Sequence, residues 1–136
     1  MKRETYETAV RPVVWLAGLL TGAVVIAAAT IAGWWFVPFV AGLGAGLANR
    51  AGNWPVRVAV PAVAAMAAVG WGVPLWHSGR HVGRYAELAR IAALTGLPRS
   101  VAAGLLLTVL VAVVQAVTGY WLGRAVTPRV ADDLFR

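Results

Sequence analysis

From Pro12 to Ala48 the chain carries no ionisable side chain. As one helix that run would reach about 55 Å at 1.5 Å per residue, well beyond the roughly 30 Å apolar core of a bilayer. The run therefore predicts two spans folded back on each other through a tight turn. Ala32-Gly33-Trp34-Trp35 is the natural turn. Glycine reaches backbone conformations closed to other residues, and tryptophan favours the headgroup region. The spans then fall near residues 12–31 and 34–48.

The rest of the chain divides in the same way. Asn49 to Pro55 is a polar hairpin, and a third apolar run follows near residues 58–76, with Gly70, Gly72 and Pro74 loosening its far end. Residues 77–97 are more polar, with a short helix expected over Tyr85–Leu94. A fourth span is expected near residues 101–122. Pro98-Arg99-Ser100 precedes it, and serine suits the N-cap of a helix. The polar tail, residues 123–136, is expected to fray. Apolar residues make up 60% of the chain and charged residues 12%, about half the charged share of a soluble domain. The fold class implied is an all-α integral membrane protein forming one domain over residues 1–136. Four transmembrane helices make a compact bundle, with a short interfacial helix between the third and fourth. The second span gives only about 22 Å of helix, so a re-entrant segment is an alternative. Either form needs neighbours around it, at the bundle centre or at a subunit interface.

Cation placement sets the expected threading. Lys2, Arg3, Arg11, Arg50, Arg57, Arg124, Arg129 and Arg136 fall on one side of a four-span chain, and Arg80, Arg84, Arg90 and Arg99 on the other. The positive-inside rule then puts both termini in the cytoplasm, in a prokaryotic cytoplasmic membrane. Trp15, Trp54, Tyr120 and Trp121 mark one interface; Trp34, Trp35 and Trp76 mark the other. The first span has a secretory leader as its rival reading, given Lys2-Arg3 and Ala27-Ala28-Ala29. Two glutamates in the leader and the length of the apolar run favour an uncleaved span.

Small residues mark the expected packing faces. On the fourth span Gly104, Thr108, Ala112, Gln115, Gly119 and Gly123 share about a third of the helix circumference. Leu106, Leu110, Val113, Val117 and Trp121 lie opposite. Lipid offers no drive to bury leucine, so the small stripe is the protein-facing side. Gly18 and Gly22 repeat the device on the first span, and Gly42 and Gly46 on the second. These pairs serve packing within one chain or association between subunits. Gln115, the one amide read within a span, is expected to hydrogen-bond a neighbouring helix.

Chemistry has few candidates. His77, Arg80, His81 and Arg84 would share one face of a helix and form a cationic strip for an anion or a lipid headgroup. Two histidines four apart, without cysteine and without a third ligand on that face, do not make a metal site. No catalytic set, cofactor site or nucleic-acid motif emerges, and the spans hold no ionisable group to couple a cation. The expected partners are membrane lipids and either a second copy or another membrane protein. The expected function is non-catalytic, acting through helix–helix association as a homo-oligomer or as the accessory subunit of a complex. The alternative is a small oligomeric transporter or channel, for an anion, with its mouth at 77–84. A membrane-permeabilising protein is a third reading.

Overall fold

The structure, a computed structural model, describes the backbone of residues 2–52, 54–82 and 85–126, and the side chains of residues 12–49, 54–78 and 85–126. Among these residues the regular structure is entirely helical: α1 (Lys2–Ile31), α2 (Val37–Gly52), α3 (Val56–Val82), α4 (Tyr85–Leu94) and α5 (Val101–Val126). Residues 12–31 of α1, 56–78 of α3 and all of α5 are long and apolar enough to cross a membrane. The apolar part of α2, Val37–Asn49, is shorter.

Helix ends are set by local chemistry. α1 stops at Gly33, whose φ of 79° is left-handed. There the Trp34 N–H donates to Ala29 C=O at 2.9 Å and the Gly33 N–H to Thr30 C=O at 3.2 Å. This paired closure satisfies the last carbonyls of the helix. α4 ends in the same way at Gly96 (φ 77°), with the Leu97 N–H on Ala92 C=O and the Gly96 N–H on Ala93 C=O. α5 opens on Ser100, whose Oγ accepts the Ala103 N–H at 3.1 Å, as the N-cap reading anticipated. Pro38 sits in the first turn of α2, where a missing N–H costs nothing.

Several boundaries differ from expectation. The apolar part of α1 falls at residues 12–31 as expected, within a helix that begins at Lys2, whereas α2 begins at Val37 rather than Trp34, because the Gly33 closure uses Trp34. α3 passes through Gly70, Gly72 and Pro74 to Val82, so residues 77–82 are helix and not loop. Neighbouring helices brace that stretch: Gly70 lies against the Ala23 carbonyl and the Ile26 side chain of α1, and Gly72 against Val109 of α5. α5 likewise continues past Leu122 to Val126, because Gly123 still packs on α2.

Contact register gives the directions. Gly42 meets Ala116 and Gly46 meets Tyr120, so α2 and α5 run parallel. Gly22 meets Met66 and Gly70 meets Ala23 and Ile26, so α1 and α3 run parallel too. The five-residue turn from α1 to α2 reverses the chain, and α1, α2, α3 and α5 thus alternate in direction. The core is thin: Ile26, Ala29, Val37, Ala59, Val63, Met66, Ala67, Ala116 and Tyr120. Outside it, large apolar residues face outward, Leu20 at 68% and Leu106 at 69% exposure among them. Only 11% of the apolar window of α1 is buried. A surface of that character is compatible with a membrane protein.

The hydroxyls agree with an apolar surround. Every threonine with a described side chain donates to a backbone carbonyl three or four residues back in its own helix: Thr21, Thr30, Thr95, Thr108 and Thr118. Thr21 and Thr118 do so on exposed faces. Where lipid replaces water, that is the partner available to them.

Candidate functional site

The two glycine pairs predicted on the second and fourth spans interlock with each other. A Cβ on Gly42 would overlap the Ala116 carbonyl, and one on Gly46 the Tyr120 carbonyl. In return a Cβ on Gly119 would overlap the Phe39 carbonyl, and one on Gly123 the Leu43 carbonyl. Carbonyls of each helix thus point at the glycines of the other, the arrangement in which Cα–H groups donate weakly across a helix pair. α2 has its most extensive contacts with α5.

The α5 stripe serves two helices in series. Its start, Gly104, lies against the Leu88 carbonyl of α4, and its end takes α2. Ala112 is buried between them, while Thr108 and Gln115 are half-buried. Among the described residues none hydrogen-bonds the Gln115 side chain. Leu106, Leu110 and Trp121 face outward as the opposite side requires, but Val113 packs against the core. On α1 the two glycines part company. Gly22 lies against Met66, whereas Gly18 is exposed and a Cβ there would meet nothing.

One buried polar cluster lies outside these predictions. Asn49, 2% exposed, donates from Nδ2 to the Tyr120 Oη at 2.6 Å, and more weakly to the Trp54 carbonyl at 3.4 Å. Tyr120 is fully buried and its Oη also accepts from Arg124 Nη1 at 3.2 Å. The Asn49 Oδ1 is buried and accepts nothing from the described residues, a state that costs about 1–3 kcal/mol. Sequence reading assigned Asn49 to a solvated hairpin and Tyr120 to an interface. The available signal was register, since Gly46 and Gly119 flank the two residues on facing helices. At the same end Trp15 and Trp54 stack with centroids 4.6 Å apart and planes 9° from parallel.

The cationic strip is described in part. His77 is exposed near the end of α3, and the helix runs on through Arg80 and His81. The side chains of Arg80 and His81, and all of Arg84, lie outside the described residues. α4 carries Glu87 and Arg90 exposed and buries Leu88 and Ala92. Comparison of the chain with known protein families, with curated proteins and with solved structures finds no match.

Proposed function

We propose that the chain is a four-span integral membrane protein of a prokaryotic cytoplasmic membrane, with α1, α2, α3 and α5 as spans and both termini in the cytoplasm. α4 lies at the outer interface in this reading. The alternating helix directions support it, as do the tryptophan positions. Along α1, Trp15 lies about 24 Å from the helix end at Ile31, just before Trp34, and along α3, Val56, just after Trp54, lies about 30 Å from Trp76, both near the thickness of a bilayer core. α2 is short for a span, and its backbone contact with α5 holds it among neighbours.

The function we infer is non-catalytic and rests on helix–helix association, with a second copy or as a small subunit of a larger complex. The observation that carries it is the outward face of α1. The glycine pairs of α2 and α5 are used within the chain, but Ala17, Gly18, Thr21 and Ala28 are exposed on α1. The Thr21 hydroxyl is bonded to Ala17 C=O, so this face, which also exposes Val14, Val24 and Val25, carries small residues and no unsatisfied hydroxyl. Such a face lets a second helix approach closely. Gly18→Leu is therefore expected to weaken association while leaving the fold intact, because its Cβ has open space. Native mass spectrometry in mild detergent checks this; an unchanged mass distribution, or one that is monomeric throughout, would count against it. Proteoliposome anion flux that vanished with Arg80→Ala and Arg84→Ala would favour a transporter instead.

A further inference from the structure

The outward face of α1 is sorted by side-chain type. Val14, Ala17, Thr21, Val24, Ala28 and Ile31 follow one another at intervals of three and four, and all six are exposed. The three leucines of α1, Leu16, Leu19 and Leu20, stand off that line. On α5 the outward face is led by Leu106, Leu110 and Trp121 instead. Lipid tails are as apolar as leucine, so contact with lipid alone gives no reason for the difference. A facing helix does. Alanine and threonine let it approach closely, and valine and isoleucine have little side-chain freedom to lose on contact.

The same line continues where α1 outruns its main neighbour. Met66 lies over Gly22 and Gly70 against Ile26, forty-four residues apart in both contacts, so the start of α3 at Val56 is level with Pro12. Residues 2–11 of α1, about 15 Å of helix, lie beyond that level. There the backbone places Val10, Glu7 and Arg3 at the next three positions of the line. The result is a heptad seam. Arg3, Val10, Ala17, Val24 and Ile31 hold one set of core positions, and Glu7, Val14, Thr21 and Ala28 the other. Two such seams are complementary in charge when the helices are parallel. Position 7 of one helix then inserts beside position 3 of the other, acid by base, and twofold symmetry repeats the pair. An antiparallel pair would set both charges against Ala28 and Ile31.

We propose that two copies of this chain associate through α1, parallel about a twofold axis, along the seam from Arg3 to Ile31, with Arg3 and Glu7 paired between the copies. The proposal rests on the association reading above and names its partner as a second copy.

The chain has no cysteine, so a single introduced cysteine can form a disulfide only with another molecule. Single-cysteine variants of the full chain are oxidised in native membranes, and the dimer fraction is read on non-reducing gels. Ala17→Cys, Thr21→Cys, Val24→Cys and Ala28→Cys are expected to cross-link. Leu16→Cys, exposed but off the seam, and Leu106→Cys on α5 are expected to give less than about a fifth as much dimer, since Cα atoms more than about 7 Å apart cannot be bridged. The charge pair is read in the Ala17→Cys background. Arg3→Glu and Glu7→Arg are each expected to lower the dimer about threefold. Co-expression of the two, one acidic at both positions and the other basic at both, is expected to restore it as a mixed dimer. A pair confined to one chain would not be restored by mixing. Cross-linking at Leu16 equal to that at Ala17 overturns the seam, and mixing that restores nothing overturns the pairing between copies. Dimers in native mass spectrometry without cross-links along α1 overturn the proposal too, and leave association standing on another face. A chain that cross-links nowhere and runs as a monomer throughout removes the association reading as well.

Discussion

Two pairs of parallel helices make up this bundle, and they meet in different ways. α2 and α5 touch backbone to backbone: four glycines face four carbonyls, and no side chain can yield to make room. α1 and α3 touch largely through side chains, with Met66 lying over Gly22 and only Gly70 admitting a neighbouring carbonyl, that of Ala23. A close-packed interior transmits an added methyl to whatever is least able to move. In the first pair that is an entire helix. In the second it is a thioether with three rotatable bonds.

The largest expected effect breaks the tighter pair. Gly119→Leu together with Gly123→Leu drives two isobutyl groups into the Phe39 and Leu43 carbonyls, and α2 has no other extensive partner to keep it in place. Overpacking costs about 1–3 kcal/mol for even a small insertion, so this variant is expected to lose the native bundle. Helicity followed through a sodium dodecyl sulfate titration should show no cooperative transition. A transition within about 1 kcal/mol of the parent would mean that the pair is not in backbone contact.

Next in size is Tyr120→Phe. It keeps the ring in the core but leaves the Asn49 amide with one long bond to Trp54 C=O and an Oδ1 that already accepts nothing. The expected loss is about 1–3 kcal/mol in the same titration. Asn49→Leu removes both unsatisfied ends at once while the Tyr120 hydroxyl keeps Arg124. It is expected to cost less than Tyr120→Phe and to approach neutrality. The reverse order would show that Asn49, rather than Tyr120, is the residue the cluster is built on.

How much of this was readable beforehand follows from the range of each signal. The Gly33 turn, the Ser100 cap and the α4 boundaries depend on a few adjacent residues, and the sequence shows them directly. The small stripe on α5 was equally visible as a face. Its partners were not, because nothing local to Gly119 says whether Phe39 or a second copy lies opposite. Asn49 was misplaced for the same reason: an asparagine beside Arg50 and Gly52 reads as a hairpin until Tyr120, far along the chain, supplies its partner. The continuation of α3 was missed because the neighbours that pack on Gly70 and Gly72, Ile26 of α1 and Val109 of α5, lie far along the chain.

Gly33→Ala sharpens the comparison from outside both pairs. No atom would meet its Cβ, so the whole effect is the left-handed φ of 79°. It is expected to cost about 1–2 kcal/mol, and Gly33→Asn less, since asparagine tolerates that region. A cost for Gly33→Ala as large as that of the Gly119→Leu, Gly123→Leu variant would mean that the turn, and not the α2–α5 contact, places α2.

The smallest effect belongs to the looser pair and is the most discriminating. Gly22→Ala puts its methyl where the Met66 Sδ now sits, and methionine can rotate away; alanine also improves the intrinsic stability of a helix by up to about 1 kcal/mol over glycine. These terms oppose each other, and the net change is expected to stay within about 1 kcal/mol of zero. Gly42→Ala adds the same methyl and the same gain in propensity, but against the Ala116 carbonyl, and is expected to lose stability outright. Since the two substitutions are chemically identical, the difference between them isolates what each neighbour can give. Equal costs for the two, measured side by side in one detergent, would erase the distinction between a side-chain contact and a backbone one.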